Sequence, residues 1–145
     1  MNEILKEIFW AIDRMFKSCD IDYDELKDYE IQESLFESHD FVKTVNSFLF
    51  NYSKIQDKIG QKLFKRILLE LKEINDESIP FRDILTILEK LNILDEYTWD
   101  ELRDIRNSIA HEYPFDIEER VQNLKNALKG FEKLKQIYKN TKAIV

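Results

Sequence analysis

The sequence is poor in residues that interrupt helices, because its 145 residues include only two glycines and two prolines. It has a single cysteine, Cys19, which excludes an internal disulfide, and two distant histidines, which do not suggest a zinc cage. No apolar run approaches the roughly 18 residues that span a bilayer, and acids and lysines occupy the start of the chain instead of a signal peptide. We therefore expect a cytoplasmic protein with no membrane segment, metal or cofactor.

The residues that are abundant favour a helical protein with one core. Hydrophobic residues make up 43% of the chain and charged residues 35%, a composition typical of soluble helical proteins. The length is close to the commonest size for one domain. We expect a single domain over residues 1–145.

The net charge of −7 is unevenly distributed along the chain. Residues 18–40 hold nine acids and one lysine, whereas residues 41–73 hold seven basic residues against three acids, and residues 121–145 hold six lysines against one acid. A basic surface for a nucleic acid can therefore exist on an acidic protein. The simpler alternative, that lysines solvate the outer faces of helices, stays open.

Apolar residues recur every three or four positions and predict two helices in the first half of the chain. The first helix carries the stripe Ile4, Leu5, Ile8, Phe9, Ile12, Met15 and Phe16. The second is long, over residues 38–74, and contains Gly60, which we explain by the close approach of a neighbouring helix. The acidic segment between them, residues 18–40, fits either a short helix or an ordered loop.

Three further helices follow from start and stop signals. Pro80 suits the beginning of a short helix. Thr98 with Glu101 forms a capping box that starts the next helix, which Pro114 ends, and Asp116 with Glu119 repeats the start signal for a terminal helix. The sequence therefore predicts an all-α fold, an antiparallel bundle of four main helices plus a short one.

The helix before Pro114 carries the chemistry of the chain. At about 100° per residue, Leu102, Ile105 and Ile109 face the core, and the opposite face holds Arg103, Asp104, Asn107 and His111, with Arg106 at its flank. A guanidinium can hold a phosphate while an imidazole moves protons, so this pattern indicates phosphodiester chemistry.

The residue types suggest a role for each group at this site. His111 suits general acid or base catalysis, Arg106 neutralises the phosphorane, Asn107 orients either group, and Arg103 and Asp104 are supporting candidates. The ordinary alternative is a solvated helix face on which Asp104 pairs with a cation. Trp10 and Trp99 are expected in the core.

The orientation of this polar face predicts the oligomeric state. Because the face points away from its own core, a catalytic role requires a second copy that closes the site, which predicts a homodimer.

The segment from Arg106 to Tyr113 matches the pattern Arg, four residues, His, any residue, Tyr, and so resembles HEPN-domain proteins, in particular the HepT toxins. Residues 50–60, 62–64 and 80–85 are similar to a subfamily of HepT-like bacterial proteins, so that the resemblance covers roughly residues 41–130. It implies a HEPN-like helical bundle, a homodimer, and a metal-independent ribonuclease whose composite site uses Arg106 and His111, with Asn107 adjacent. It also implies a small nucleotidyltransferase antitoxin that adenylylates the motif tyrosine, here Tyr113.

Two functions are consistent with these features. The first is a toxin-type endoribonuclease that acts on RNA. The alternative is a non-catalytic helical binding subunit, or antitoxin-like companion, of a minimal nucleotidyltransferase. Residues 18–40 lie outside the resemblance, and neither their role nor the RNA target follows from the sequence.

Overall fold

The computed structural model describes residues 2–145, which fold into helices joined by short connections and contain no β-strand. The helices are α1 (Glu3–Leu26), α2 (His39–Lys58), α3 (Phe64–Glu70), α4 (Phe81–Lys90), α5 (Glu96–Ala110) and α6 (Ile117–Ala143). One π-helical turn, Ile59–Leu63, joins α2 to α3, so that the two form one long helix close to the expected one. The prediction of an all-α chain with four main helices and a short one, α4, is confirmed.

Neighbouring helices run in opposite directions, as hydrogen bonds between them show. Along α1 and α2, Glu25 contacts Thr44, Asp22 contacts Ser47 and Cys19 contacts Phe48, so residue numbers fall along one helix as they rise along the other. Helix α6 lies against α1 in the same opposed order, with Tyr23 bonded to Glu132 and Tyr138 to Asp13. The bundle is therefore antiparallel across both of these contacts.

The core lies where the apolar stripes meet. Its largest fully buried side chains are Tyr52, Phe48, Phe64 and Phe131. Trp99 is buried at 3% exposure as expected, but Trp10 is 63% exposed. Cζ of the Arg14 guanidinium lies 4.9 Å from the centroid of the Trp10 ring. The expectation that Trp10 is a core residue is wrong because the buried stripe of α1 passes through Leu5, Phe9, Ile12 and Phe16.

Side-chain caps fix where the helices start. Asp116 caps α6 through the Glu119 N–H, as the sequence predicts. Helix α5 starts earlier than the Thr98–Glu101 capping box implies, because the Asp95 carboxylate accepts from the Tyr97 N–H and makes Glu96 the first helical residue.

The acidic segment, residues 18–40, has a mixed structure. Its first part extends α1 to Leu26, and Glu33–Glu37 form a short 3₁₀ helix before α2. The buried Ile31 and the half-buried Phe36 fasten the connection to the core. The segment therefore combines the helix and the ordered loop that the sequence left open.

Both glycines of the chain allow α5 to pack closely against its neighbours. A Cβ at Gly60 would lie 3.0 Å from Cζ2 of Trp99, and a Cβ at Gly130 on α6 would lie 3.1 Å from side-chain carbons of Leu102 and Ile105. The close approach of a helix at Gly60 is confirmed. Helix α5, which carries the candidate site residues, is thus held close to both the α2–π segment and α6.

Candidate functional site

A groove of about 510 Å³ opens between α5 and the long helix formed by α2, the π turn and α3. This size is within the range of small-molecule sites. The residues that line it are Gln56, Asp57, Gly60, Gln61, Lys65, Phe81, Trp99, Arg103, Arg106, Asn107, Ala110 and His111. Four of the six residues proposed from the sequence, Arg103, Arg106, Asn107 and His111, therefore share one groove. The sequence predicts that this polar face points away from its own core and needs a second copy to close a site, but the groove exists within one chain because α2 and the π turn form its other wall.

Arg106 is held across the groove by Asp57. The Nε and Nη2 atoms of Arg106 donate to the two Asp57 carboxylate oxygens at 3.0 and 2.9 Å, in a bidentate pair. These hydrogen bonds raise the pKa of the Arg106 guanidinium above its usual value. Both side chains are about one-third exposed, so the pair fixes the direction of the arginine while leaving it accessible.

His111 and Asn107 lie at the exposed end of α5. His111 is the residue that ends the helix, and its backbone N–H donates to the Asn107 carbonyl at 3.1 Å. The two side chains are exposed and one helical turn apart, as the sequence predicts. The imidazole therefore lies at the mouth of the groove and Arg106 lies deeper.

A second ion pair anchors the chain directly after His111. The Glu112 carboxylate accepts from Nε of Arg120 at 3.0 Å and from Nδ2 of Asn123 at 2.8 Å, so that both of its oxygens are bonded to α6. Arg120 also donates to Asn46 of α2 at 2.6 Å. Glu112 and Arg120 are only 12% and 11% exposed in their side chains. This network fixes the path of the chain where it leaves α5 after His111.

The far end of the groove is partly apolar. Trp99 and Phe81 line it, and the absence of a side chain at Gly60 lets the indole approach the π turn. Single π turns within α-helices are frequent at functional sites. Gln56 also lines the groove, and it is only 4% exposed.

Cations outnumber anions in the groove, although the whole protein is acidic. Lys65, Arg103 and Arg106 line it together with one carboxylate, that of Asp57. Arg103 is paired with Asp100 at 3.2 Å on the outer surface of α5. Because Asp57 pairs with Arg106 and Asp100 pairs with Arg103, Lys65 is the one lining Lys or Arg for which the structure shows no ion pair within residues 2–145.

Two of the proposed residues lie outside the groove. Asp104 is exposed on α5 and does not line it. Tyr113 is 73% exposed and borders a separate shallow recess with Phe115, which is 96% exposed, and three acids, Glu33, Asp116 and Glu118. The ring of Tyr113 is therefore open to a partner but does not contribute to the groove.

Sequence reasoning missed Asp57, Gln56 and the pair of Glu112 with Arg120. Asp57 had a signal, because it is the single acid between residues 41 and 69 of a basic segment. Gln56 and Arg120 had none, because their importance depends on packing between helices that are distant in sequence.

No family model, curated protein or solved structure matches the chain. Within residues 2–145, no helix combines the length and apolar character needed to cross a membrane. The same residues contain no group of three or more His, Cys, Asp and Glu side chains arranged to hold a metal ion.

Proposed function

We propose that this protein is a metal-independent endoribonuclease of the HepT type, the toxin of a toxin–antitoxin pair. The observation that carries the proposal is the groove that Arg106, aligned by Asp57, shares with Asn107 and His111. A guanidinium and an imidazole on one wall suit a substrate whose phosphorus gains charge during reaction. RNA supplies its own nucleophile, the ribose 2′-hydroxyl, so the reaction requires no metal-bound water.

The proposed reaction is an intramolecular transesterification. One imidazole takes the proton of the 2′-hydroxyl, the O2′–P bond forms, and the P–O5′ bond breaks as the leaving oxygen receives a proton. The products are a 2′,3′-cyclic phosphate and a 5′-hydroxyl. The His111 imidazole that takes the first proton can return it to the leaving oxygen, and the homodimer we propose brings two such imidazoles to one cleft.

Arg106 is equipped to stabilise the charged phosphorane. A guanidinium has five N–H donors, and two of them contact Asp57. The other edge of the planar group can form a bidentate contact with two phosphate oxygens. Asp57 therefore acts as a positioning residue, because it turns that edge in a fixed direction.

The homodimer would close the exposed side of the site. Arg103, Asn107, Ala110 and His111 are exposed at the open side of the groove. A two-fold axis beside α5 would bring two sets of Arg106 and His111 into one cleft. Exclusion of water from that cleft would strengthen the electrostatic contribution of Arg106.

Control by a nucleotidyltransferase fits the position of Tyr113. Its exposed ring lies two residues beyond His111, in the segment that Glu112 anchors. Adenylylation of the hydroxyl would place a bulky anion close to the imidazole and repel RNA by size and charge. The expected partner is a minimal nucleotidyltransferase that transfers AMP from ATP to the Tyr113 hydroxyl and releases pyrophosphate.

The proposal is tested with purified protein, RNA and excess EDTA. We expect His111→Ala and Arg106→Ala to reduce the cleavage rate by about a hundredfold or more, with melting temperatures close to that of the wild type because both side chains are accessible. His39→Ala is the matched control, since His39 is the other histidine of the chain and is exposed at the start of α2. Cleavage that persists in both site variants would contradict the proposal.

A non-catalytic role as the binding subunit of a nucleotidyltransferase is the second candidate. The observation in its favour is the pair of exposed rings, Tyr113 and Phe115, on a recess separate from the groove. It predicts a stable complex with a nucleotidyltransferase and no RNA cleavage by the free protein at any salt concentration. Phe115→Ser would weaken that complex, whereas RNA cleavage by the free wild type would exclude this function.

A further inference from the structure

Gln56 places a side-chain amide in the groove without a hydrogen bond to its oxygen. The residue is 4% exposed, and its Oε1 has no partner among residues 2–145. Buried polar atoms are paired in the great majority of cases, since an unpaired one lowers stability. An amide that lines a groove in this state is a candidate for hydrogen bonding to a ligand.

The surroundings of Gln56 indicate what kind of ligand fits. Phe81 lines the groove with it and provides apolar surface, and the nearly buried Trp99 indole, which also lines the groove, packs over Gly60 one turn further along. The next residue, Asp57, holds Arg106, the proposed phosphate ligand. A flat, partly polar group attached to a phosphate would meet all of these residues.

We propose that Gln56 recognises an adenine base of the RNA that Arg106 holds by its phosphate, an inference that rests on the endoribonuclease function proposed above. The exocyclic amino group of adenine would donate to Oε1, and N7 would accept from Nε2. This is the edge that a glutamine amide matches with two hydrogen bonds. A 6-oxo purine presents two acceptors on the same edge and leaves Oε1 unpaired.

Gln56→Met separates recognition from a structural role. Methionine has a similar volume and no hydrogen-bonding amide, so it fills the site while removing both contacts. If Gln56 binds a base, the variant keeps or raises the melting temperature, because an unpaired buried oxygen is removed. If Gln56 stabilises the fold, the melting temperature falls.

The test measures binding of 2′-O-methyl trinucleotides of adenosine and of inosine, which cannot be cleaved because the 2′-hydroxyl is blocked. We expect the wild type to bind the adenosine trimer about tenfold more tightly than the inosine trimer, and Gln56→Met to bind both equally. Gln136→Met is the matched control, because this exposed glutamine bonds within α6 to Asn140. It should keep the preference of the wild type.

The possible results are distinguishable from those of the cleavage assay. Equal binding of the two trimers by the wild type, an unchanged preference in Gln56→Met, or a fall in its melting temperature would overturn base recognition. RNA cleavage that depends on His111 would then leave the proposed function intact. An adenosine preference without any RNA cleavage would instead support Gln56 as a base-binding residue and contradict the endoribonuclease.

Discussion

At the scale of single residues, the Asp57 carboxylate that orients Arg106 is as important to the proposed site as Arg106 itself. The sequence predicts the arginine from its spacing to His111 on one helix, which a helical wheel describes well. It does not predict Asp57, because that carboxylate is 49 positions away and reaches Arg106 only through the packing of α5 on α2. Charges that pair between helices are the part of a site that periodicity leaves undetermined.

Asp57→Asn tests the positioning of Arg106. Without the bidentate carboxylate the guanidinium loses its fixed direction, and we expect kcat for RNA cleavage to fall about tenfold or more. The KM for RNA should stay equal or fall, since one negative charge leaves the groove. Asp104→Asn, the same change at an exposed position of α5, should alter neither parameter. An unchanged kcat in Asp57→Asn would contradict the positioning role.

Cys19 provides a test of how firmly α1 packs. The thiol is fully buried, and burial, with smaller contributions from Asp22 and Asp20, raises its pKa to about 12. Because the thiolate is the reactive form, a disulfide reagent at pH 8 should fail to label the native protein and should label it stoichiometrically in urea. Fast labelling in native buffer would show that α1 opens readily from α2.

At the scale of secondary-structure elements, close contacts at two glycines fix the position of α5 against its neighbouring helices. The sequence predicts the stripes of all the main helices and the close approach at Gly60. It does not predict the approach at Gly130, since a periodic pattern identifies which face is buried but not how deep a neighbour lies. The same limit explains two wrong predictions. Trp10 is exposed although its side chain is hydrophobic, and Asp95 caps α5 in place of Thr98.

Gly130→Ala tests the close packing at this position. Alanine favours helix over glycine by about 1 kcal/mol, but its Cβ would lie 2.8 Å from the hydroxyl of the fully buried Tyr52 and 3.1 Å from Leu102 and Ile105. Overpacking of this kind costs about 1–3 kcal/mol, so we expect a net loss of stability in urea denaturation. Gln136→Ala on the exposed side of α6 is the control and should change little. A more stable Gly130→Ala protein would show that α5 is not closely held.

At the scale of the whole molecule, charge and symmetry connect the fold to the proposed function. The protein has a net charge of −7, yet the groove holds more cations than anions. The exposed face of α5 around His111 is the surface on which a second copy would complete the site. The uneven charge distribution was visible in the sequence, but its concentration in one groove depends on how α3 and α5 pack.

Mixing two inactive variants tests the composite site. If two chains share one cleft, a mixed dimer of Arg106→Ala and His111→Ala retains one arginine and one histidine there, and we expect it to recover part of the wild-type cleavage rate. Light scattering at micromolar concentration should give the mass of a dimer for the wild type. A monomeric mass, or mixed dimers that form without any recovery of cleavage, would contradict a shared site.

The chemistry of the cleaved RNA ends, measured in the presence of EDTA, tests the proposed endoribonuclease directly. We expect the wild type to leave 2′,3′-cyclic phosphate and 5′-hydroxyl ends and His111→Ala to leave the RNA intact. Absence of cleavage, or products with 5′-phosphate and 3′-hydroxyl ends, would contradict it.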